Sequence, residues 1–227
     1  MAELLEVIVT SLEEAIDAEA GGADRLELVR DLAVGGLTPR IEAVEAVLDS
    51  VALPVRIMLR EEPTMAIQSA GELEILQGLA ERFSKLPIDG LVMGYLRDGA
   101  IDMPTMAGIL AAAPQSHVTF HRAFDELKDP LASVDELKRF PQIDRILTAG
   151  GIGDWHERKQ RLLQWQRAAK PSITILVGAG ICPAVLQDLR NTPELHEIHV
   201  GRSARLPQSV SGRVRREAVR ALKSVLP

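Results

Sequence analysis

Eight short apolar runs punctuate the chain, and each leads into a stretch with helical spacing. The runs are LLEVIV (4–9), DRLELV (24–29), PVRIML (54–59), IDGLVMG (88–94), HVTFHR (117–122), DRILTA (144–149), ITILVG (173–178) and EIHVG (197–201). Strand and helix patterns alternate with short joins, which predicts parallel strands with helical crossovers. Eight such units predict an α/β fold: a (β/α)8 TIM-type barrel formed by one domain over residues 1–227. An open doubly wound sheet is the alternative. The first strand, however, is followed by Thr10-Ser11 and not by a glycine-rich dinucleotide turn.

Helix starts can be read between the runs. Ser11 with Glu14, and Ser69 with Glu72, fit capping boxes, in which hydroxyl and carboxylate satisfy free backbone N–H groups. Thr38-Pro39, Asp102 with Pro104, Asp129-Pro130, Asp154 and Cys182-Pro183 mark further starts. Gly21-Gly22 ends the first helix, and residues 211–225 supply the eighth. The longest patternless connection, 60–69, is expected on the face that carries any site.

Several runs are aliphatic on one parity and polar on the other. Val7 and Val9 alternate with Glu6 and Ile8; Leu26 and Leu28 with Arg25 and Glu27; Val55, Ile57 and Leu59 with Arg56, Met58 and Arg60; Val118 and Phe120 with Thr119 and His121. In a barrel the aliphatic parity faces the helices and the other points inward. Glu6, Glu27, Arg56, Arg60, Thr119 and His121 are therefore expected inside, with Thr148 and His199 joining from strands six and eight. Charges placed there must pair, since an unpaired buried charge costs several kcal/mol, on the order of 3–5. They form either a polar mouth or an ionic network that only packs the barrel. His121 and Arg60, at strand ends, favour the mouth; Arg25 favours the network. His117 and His156 read as structural or surface residues.

The loops after strands seven and eight carry Gly178-Ala-Gly180 and Gly201-Arg202-Ser203. Barrels commonly hold anions on backbone N–H groups there, with Arg202 positioned to add a charged contact.

Composition narrows the function classes. The chain has 227 residues and a formal net charge of −6, against a nucleic-acid partner. A single cysteine, Cys182, excludes an intrachain disulfide and a multi-cysteine zinc site. Neither a signal peptide nor an apolar run long enough to span a bilayer is evident, so a cytoplasmic protein without a membrane partner is expected. The basic run RVRRE (213–217) reads as a solvated helix face.

Gly21-Gly-Ala-Asp-Arg-Leu-Glu-Leu28, Gly35-Gly-Leu-Thr-Pro39, Phe120-His-Arg-Ala-Phe-Asp125 and Leu147-Thr-Ala-Gly150 resemble signature segments of the CutC family, in order and spacing, to about residue 205. The resemblance implies a (β/α)8 barrel, a link to copper homeostasis and a cytoplasmic homodimer or higher homo-oligomer. It maps a polar mouth onto Glu6, Glu27, Arg60, His121 and Arg122. Phe120 and Phe124 belong to the same motif as packing residues. The family's late histidine segment resembles Glu197-Ile-His199. Departures are specific: Ile8 and Val29 stand where the family commonly has the cysteines implicated in copper binding. The loop after strand three, Arg60-Glu-Glu-Pro-Thr-Met-Ala66, keeps only the first residue of the family's Arg-Pro-Arg-Gly-Gly-Asp-Phe.

Three functions stay open. Copper handling needs soft ligands, and Cys182, His121, Met58 and Met65 are the candidates. No dedicated metal ligands are assigned. An acid–base enzyme of lyase or isomerase type would use His121, Glu27, Arg60 and Arg122 as catalytic groups. Its small anionic or phosphorylated ligand would meet Glu6, Thr148, Gly178, Gly180, His199, Gly201 and Arg202. A Schiff-base mechanism is disfavoured, since no lysine lies in the eight runs. The third class is an inert binding or scaffold barrel.

Overall fold

The computed structural model describes residues 4–226. Eight strands form a closed parallel barrel in chain order: β1 Leu4–Val9, β2 Arg25–Leu28, β3 Val55–Met58, β4 Gly90–Met93, β5 His117–Phe120, β6 Ile143–Thr148, β7 Thr174–Val177 and β8 Glu197–Val200, with β8 pairing back onto β1. Around it lie α1 Leu12–Gly21, α2 Ile41–Leu48, α3 Ala70–Phe83, α4 Met103–Ala112, α5 Pro130–Leu137, α6 Trp155–Ala169, α7 Pro183–Arg190 and α8 Arg216–Lys223. Each predicted run contains most or all of one barrel strand. No helix among the described residues is long and apolar enough to cross a membrane.

Capping is simpler than the sequence suggests in two places. Ser11 and Ser69 each accept the backbone N–H of the residue three positions on. Their Glu partners do not complete the box. Glu14 instead accepts Thr10 N at 2.9 Å, and Glu72 accepts Gln68 N at 2.7 Å. The complete capping box is Asp154 with Glu157. Thr38-Pro39 does not start α2, whose cap is Arg40. The Thr38 hydroxyl is already committed to Arg60, accepting its N–H at 2.8 Å and donating to its carbonyl at 3.0 Å. The last helix starts five residues later than expected, because Arg213–Val214 pairs antiparallel with Arg205–Leu206 before α8 begins.

The parity argument holds for most of the barrel. Leu5, Val7, Leu26, Leu28, Ile57 and Phe120 join the large core between strands and helices. Ile8, Val29, Met58 and Val92 form a separate small cluster inside the barrel. Phe124, as expected, packs edge-on against Trp165 with ring centroids 5.2 Å apart.

Strand β6 departs from simple counting. Val118 pairs with Ile143, but Thr119 pairs with Arg145, so Asp144 is an extra residue. A bulge of this kind reverses the parity beyond it. Leu147 therefore faces the interior in place of Thr148.

Beneath the mouth the polar parity forms an ionic girdle. Arg25 bonds Glu6 at 2.5 Å and Glu197 at 3.0 Å. Arg145 bonds the same Glu197 at 2.6 Å and also pairs with Asp144. Arg56 reaches across β4 to Asp144 at 2.7 Å and to the Thr119 hydroxyl at 2.8 Å, and holds Asp89 at 2.7 Å. Gly90, opposite Arg56 in register, has no side chain, and a Cβ there would meet the His117 carbonyl at 2.5 Å. His117 itself is exposed at the start of β5, and His156 is exposed on α6.

Removing one cation from this girdle strands its carboxylates in a buried site. Arg25→Met is expected to lower unfolding free energy by about 3–5 kcal/mol, measured by chemical denaturation. A loss below about 1 kcal/mol, the scale of an exposed pair, would show that the network contributes little.

Candidate functional site

The C-terminal ends of the strands open into a cavity of about 600 Å³. Of the residues expected at a site, Glu27, Arg60, His121, Arg122, Gly180, His199, Gly201 and Arg202 line it. Glu6, Thr148 and Gly178 do not. Glu6 lies one layer below, fully buried. The Thr148 hydroxyl, turned away by the β6 bulge, donates to Asp125 at 2.5 Å. The Gly178 N–H is spent on the Thr148 carbonyl at 2.9 Å, so it cannot receive an anion.

Register brings three ionisable groups together at the floor. Glu6 is opposite Arg25 on one side and His199 on the other. His199 Nδ1 lies 2.8 Å from Glu6 and 3.6 Å from Glu27. Glu27 is opposite Ile8 and Arg56 and is almost completely buried, with no hydrogen-bond partner on Oε2. Burial pushes its carboxyl up to about 7; nearby His199 opposes the shift and the Glu6 charge adds to it. Burial also disfavours charge on Glu6, yet Arg25 and His199 prevail and hold it well below the usual carboxylate range. For His199, burial is outweighed by Glu27 and Glu6, and its pKa is raised.

His121 follows β5 and caps the short turn Arg122–Glu126. Its Nδ1 accepts the Ala123 N–H at 3.2 Å. An acceptor at Nδ1 puts the ring proton on Nε2, and that buried atom has no partner. Burial, then the charges of Arg60 and Arg122, lower its pKa to about 3. His121 thus stays neutral at physiological pH, unlike the near-neutral proton carrier its residue type suggests.

Arg60 is held from several sides. Its backbone is tied to Thr38, Nη2 donates to the Val34 carbonyl at 2.5 Å, and Nη1 reaches Met65 Sδ at 3.8 Å. Gly35, at φ 90°, permits this approach, since a Cβ would lie 3.3 Å from Nη2. Arg60 Nε is buried and unpartnered. Burial lowers the pKa of this guanidinium. The altered 60–69 loop supplies Arg60, Pro63 and Met65 to the wall.

Several contributors went unassigned at the sequence level. Asp125, in the quoted Phe-His-Arg motif, accepts Thr148 Oγ1, the Ala149 N–H at 3.1 Å and Arg122 Nε at 3.0 Å. It fastens the His121 turn onto β6. Arg158 donates to the carbonyls of Ala149 and Ala179, bracing the loops after β6 and β7. Arg205 makes a two-pronged pair with Glu14 at 2.7 and 3.0 Å and also holds the Ile8 carbonyl at 3.1 Å. That clamp anchors the 205–214 segment, which adds Gln208 and Val210 to the cavity wall. Its signal, an Arg nearly two hundred residues from its Glu, is invisible to local patterning.

Among the described residues, the His, Cys, Asp and Glu side chains whose donor atoms converge are Glu6, Glu27 and His199, within 4.8 Å of one another. The group contains no sulfur, and Glu6 is already bound to Arg25 and His199. Cys182, Met58 and Met65 do line the cavity, but Cys182 is exposed and Met65 faces Arg60. Ile8 and Val29 fill the interior with hydrocarbon beside Met58. Cu(I) prefers thiolate and thioether donors, so these residues do not fit it.

The fold and cavity define a (β/α)8 barrel with a cavity at the C-terminal ends of its strands. The profile of the CutC family matches residues 3–204, and the chain belongs to that family. It is 35% identical over 197 residues to the Homo sapiens copper homeostasis protein cutC homolog, covering 86% of this chain and 72% of that one. A family protein CutC of Xanthomonas campestris is 33% identical over 204 residues, covering 89% and 84%. The solved structure of a CutC protein from Streptococcus agalactiae superposes with a TM-score of 0.78 at 26% identity, covering 88% of this chain and 98% of that one. A phosphoribosyl anthranilate isomerase from Thermococcus kodakaraensis, at TM-score 0.62 and 12% identity over 99% and 98%, shares the fold alone.

The Glu27 environment has a measurable consequence for stability. The folded state keeps the Glu27 proton from about pH 4.5, its ordinary value, up to about pH 7, where the unfolded chain has released it. Its contribution is present below pH 4.5 and is lost as pH rises through 7. Relative to Glu27→Gln, the wild-type melting temperature is expected to fall as pH rises from about 4.5 to about 7. Parallel pH profiles of the two proteins would contradict the assignment.

Proposed function

We propose that this chain is an acid–base enzyme, of isomerase or lyase type, acting on a small anionic metabolite. The observation that carries this reading is the unpartnered Oε2 of Glu27, buried at the cavity floor 3.6 Å from His199 Nδ1. A purely structural carboxylate at that depth would be paired, as Glu6, Glu197 and Asp144 are. Glu27 is placed to accept and return a proton. His199, anchored by Glu6, stabilises its charged form. Neutral His121 serves as a hydrogen-bond donor through Nε2–H, which suits a group that polarises an oxygen. Arg60 at the wall, with Arg122 and Arg202 nearer the rim, attracts the anion. Asp125 partly neutralises Arg122, so Arg60 is the principal anchor.

The names of the relatives concern copper homeostasis. The donor set here gives that role little support in this chain. An anaerobic Cu(I) titration against a strong chelator is expected to leave no copper on the protein. Retained copper would favour metal handling over the enzyme reading.

In a screen of anionic metabolites, the activity found should show kcat/KM rising with pH through about 7, as Glu27 releases its proton to become a base. Glu27→Gln is expected to reduce kcat by about 10²-fold or more. Wild-type turnover in that variant would remove Glu27 from the mechanism.

A further inference from the structure

Three of the buried polar atoms without partners belong to residues that line this one cavity: Glu27 Oε2, His121 Nε2 and Arg60 Nε. Buried polar groups are ordinarily satisfied, and one left open costs roughly 1–3 kcal/mol. Three such atoms on residues that line one cavity indicate the polarity of the group that would satisfy them. The set has a definite sense. His121 Nε2 and Arg60 Nε are donors, fixed as such by the Ala123 contact to Nδ1 and by the chemistry of guanidinium. Glu27 Oε2, once ionised, is an acceptor. The three sit close enough for the Arg60 charge to act on both His121 and Glu27. Two of them are held in place: the Arg60 guanidinium by Val34 and Met65, and the His121 ring by Ala123.

Two donors and one acceptor match a carbonyl group next to a carbon that carries a proton. We propose that the cavity takes 2-oxo acids or hydroxy-carbonyl compounds and stabilises their enolate, with His121 Nε2–H and Arg60 Nε–H on the oxygen and Glu27 Oε2 on the adjacent C–H. The proposal rests on the acid–base reading above and names its substrate class. Glu27 removes the proton, the C–H pair becomes the C=C bond, and the carbonyl π pair moves onto oxygen as the enolate charge. For a 2-oxo acid, return of the proton from Glu27 to the same carbon restores the carbonyl. For a hydroxy-carbonyl compound, the hydroxyl proton passes to the enolate oxygen as Glu27 returns its proton to the neighbouring carbon, and the carbonyl moves by one position. Nothing is oxidised or reduced overall, and no co-reactant is needed. The pair suits this step, because neutral His121 stabilises the oxyanion without giving it a full proton and Arg60 supplies the compensating charge. Ile8 and Met58, packed with Val29 and Val92, also line the cavity and lower the dielectric around it.

Oxalate, a planar dianion that mimics the enolate of a 2-oxo acid, is the probe. Its binding would be compared by calorimetry with succinate and inorganic phosphate, for wild type and two variants whose folding is checked by circular dichroism. His121→Asn keeps an acceptor for Ala123 and loses the Nε2–H. Arg60→Lys keeps the charge and loses the Nε–H. Wild type is expected to prefer oxalate by about tenfold or more, as expected for a site built around matched hydrogen bonds, and each variant to lose that preference. A smaller preference, or one that survives in either folded variant, overturns the enolate assignment. Binding of succinate or phosphate as tight as that of oxalate does so too, while leaving the anionic-metabolite reading in place. If none of the three anions binds, that broader reading falls with it.

Discussion

The guanidinium of Arg25 lies 2.5 Å from Glu6 and 3.0 Å from Glu197, inside the barrel and out of reach of solvent. This pairing is costly to form and more costly to break, since each partner alone would be a buried charge. It fixes Glu6 as a carboxylate, and the fixed Glu6 in turn orients His199. Glu197 then recruits Arg145, and Arg145 and Arg56 converge on Asp144. The barrel interior is therefore polar below and apolar or open above. The cavity occupies the upper end because the lower end is already filled by ion pairs.

The same pairing explains the state of Glu27. Arg25, Arg56 and Arg145 face Glu6, Glu197, Asp144 and Asp89, so the cations of the girdle are already matched by carboxylates. A further carboxylate at that depth, Glu27, makes no hydrogen bond to a guanidinium through Oε2. It keeps its proton to a higher pH, and its neighbour His199 is the remaining group able to share it. A carboxyl balanced in this way is of little use for packing and well suited to proton transfer. The segment beyond the family match, residues 205–214, adds a wall that depends on Arg205 and Glu14, whose carboxyl is held low because Arg205 and backbone N–H groups outweigh burial.

Strand order, barrel closure and most inward residues were legible in the sequence, because period-two alternation follows from backbone geometry alone. The signal failed where the backbone departs from that period. One extra residue, Asp144, exchanged Leu147 for Thr148 at the cavity, and nothing in the run DRILTA marks the bulge. Helix starts were legible as residue types but not as partners: Ser11 caps α1, while Glu14 serves a distant arginine. The residues at the site could be named from strand ends, yet their protonation states could not. His121 looks like a near-neutral base and becomes a neutral donor once burial and two arginines act on it. Glu27 looks like an ordinary ionised carboxylate and becomes the group that titrates near neutrality. Roles of this kind depend on three-dimensional neighbours, which parity does not give.

The aliphatic residues at positions 8 and 29 and the state of Glu27 belong to one arrangement of the barrel interior. Ile8 and Val29 pack with Met58 and Val92 into a hydrocarbon layer directly beside Glu27, which is opposite Ile8 in register. Thiols at those positions would offer soft ligands and polarisable neighbours. Aliphatic side chains remove both, and they also withhold solvation from the carboxyl. The same side chains that leave this end of the barrel without soft donors therefore strengthen the desolvation acting on Glu27. Hydrocarbon at these two inward positions thus favours a carboxyl that titrates near neutrality over a site for a soft metal.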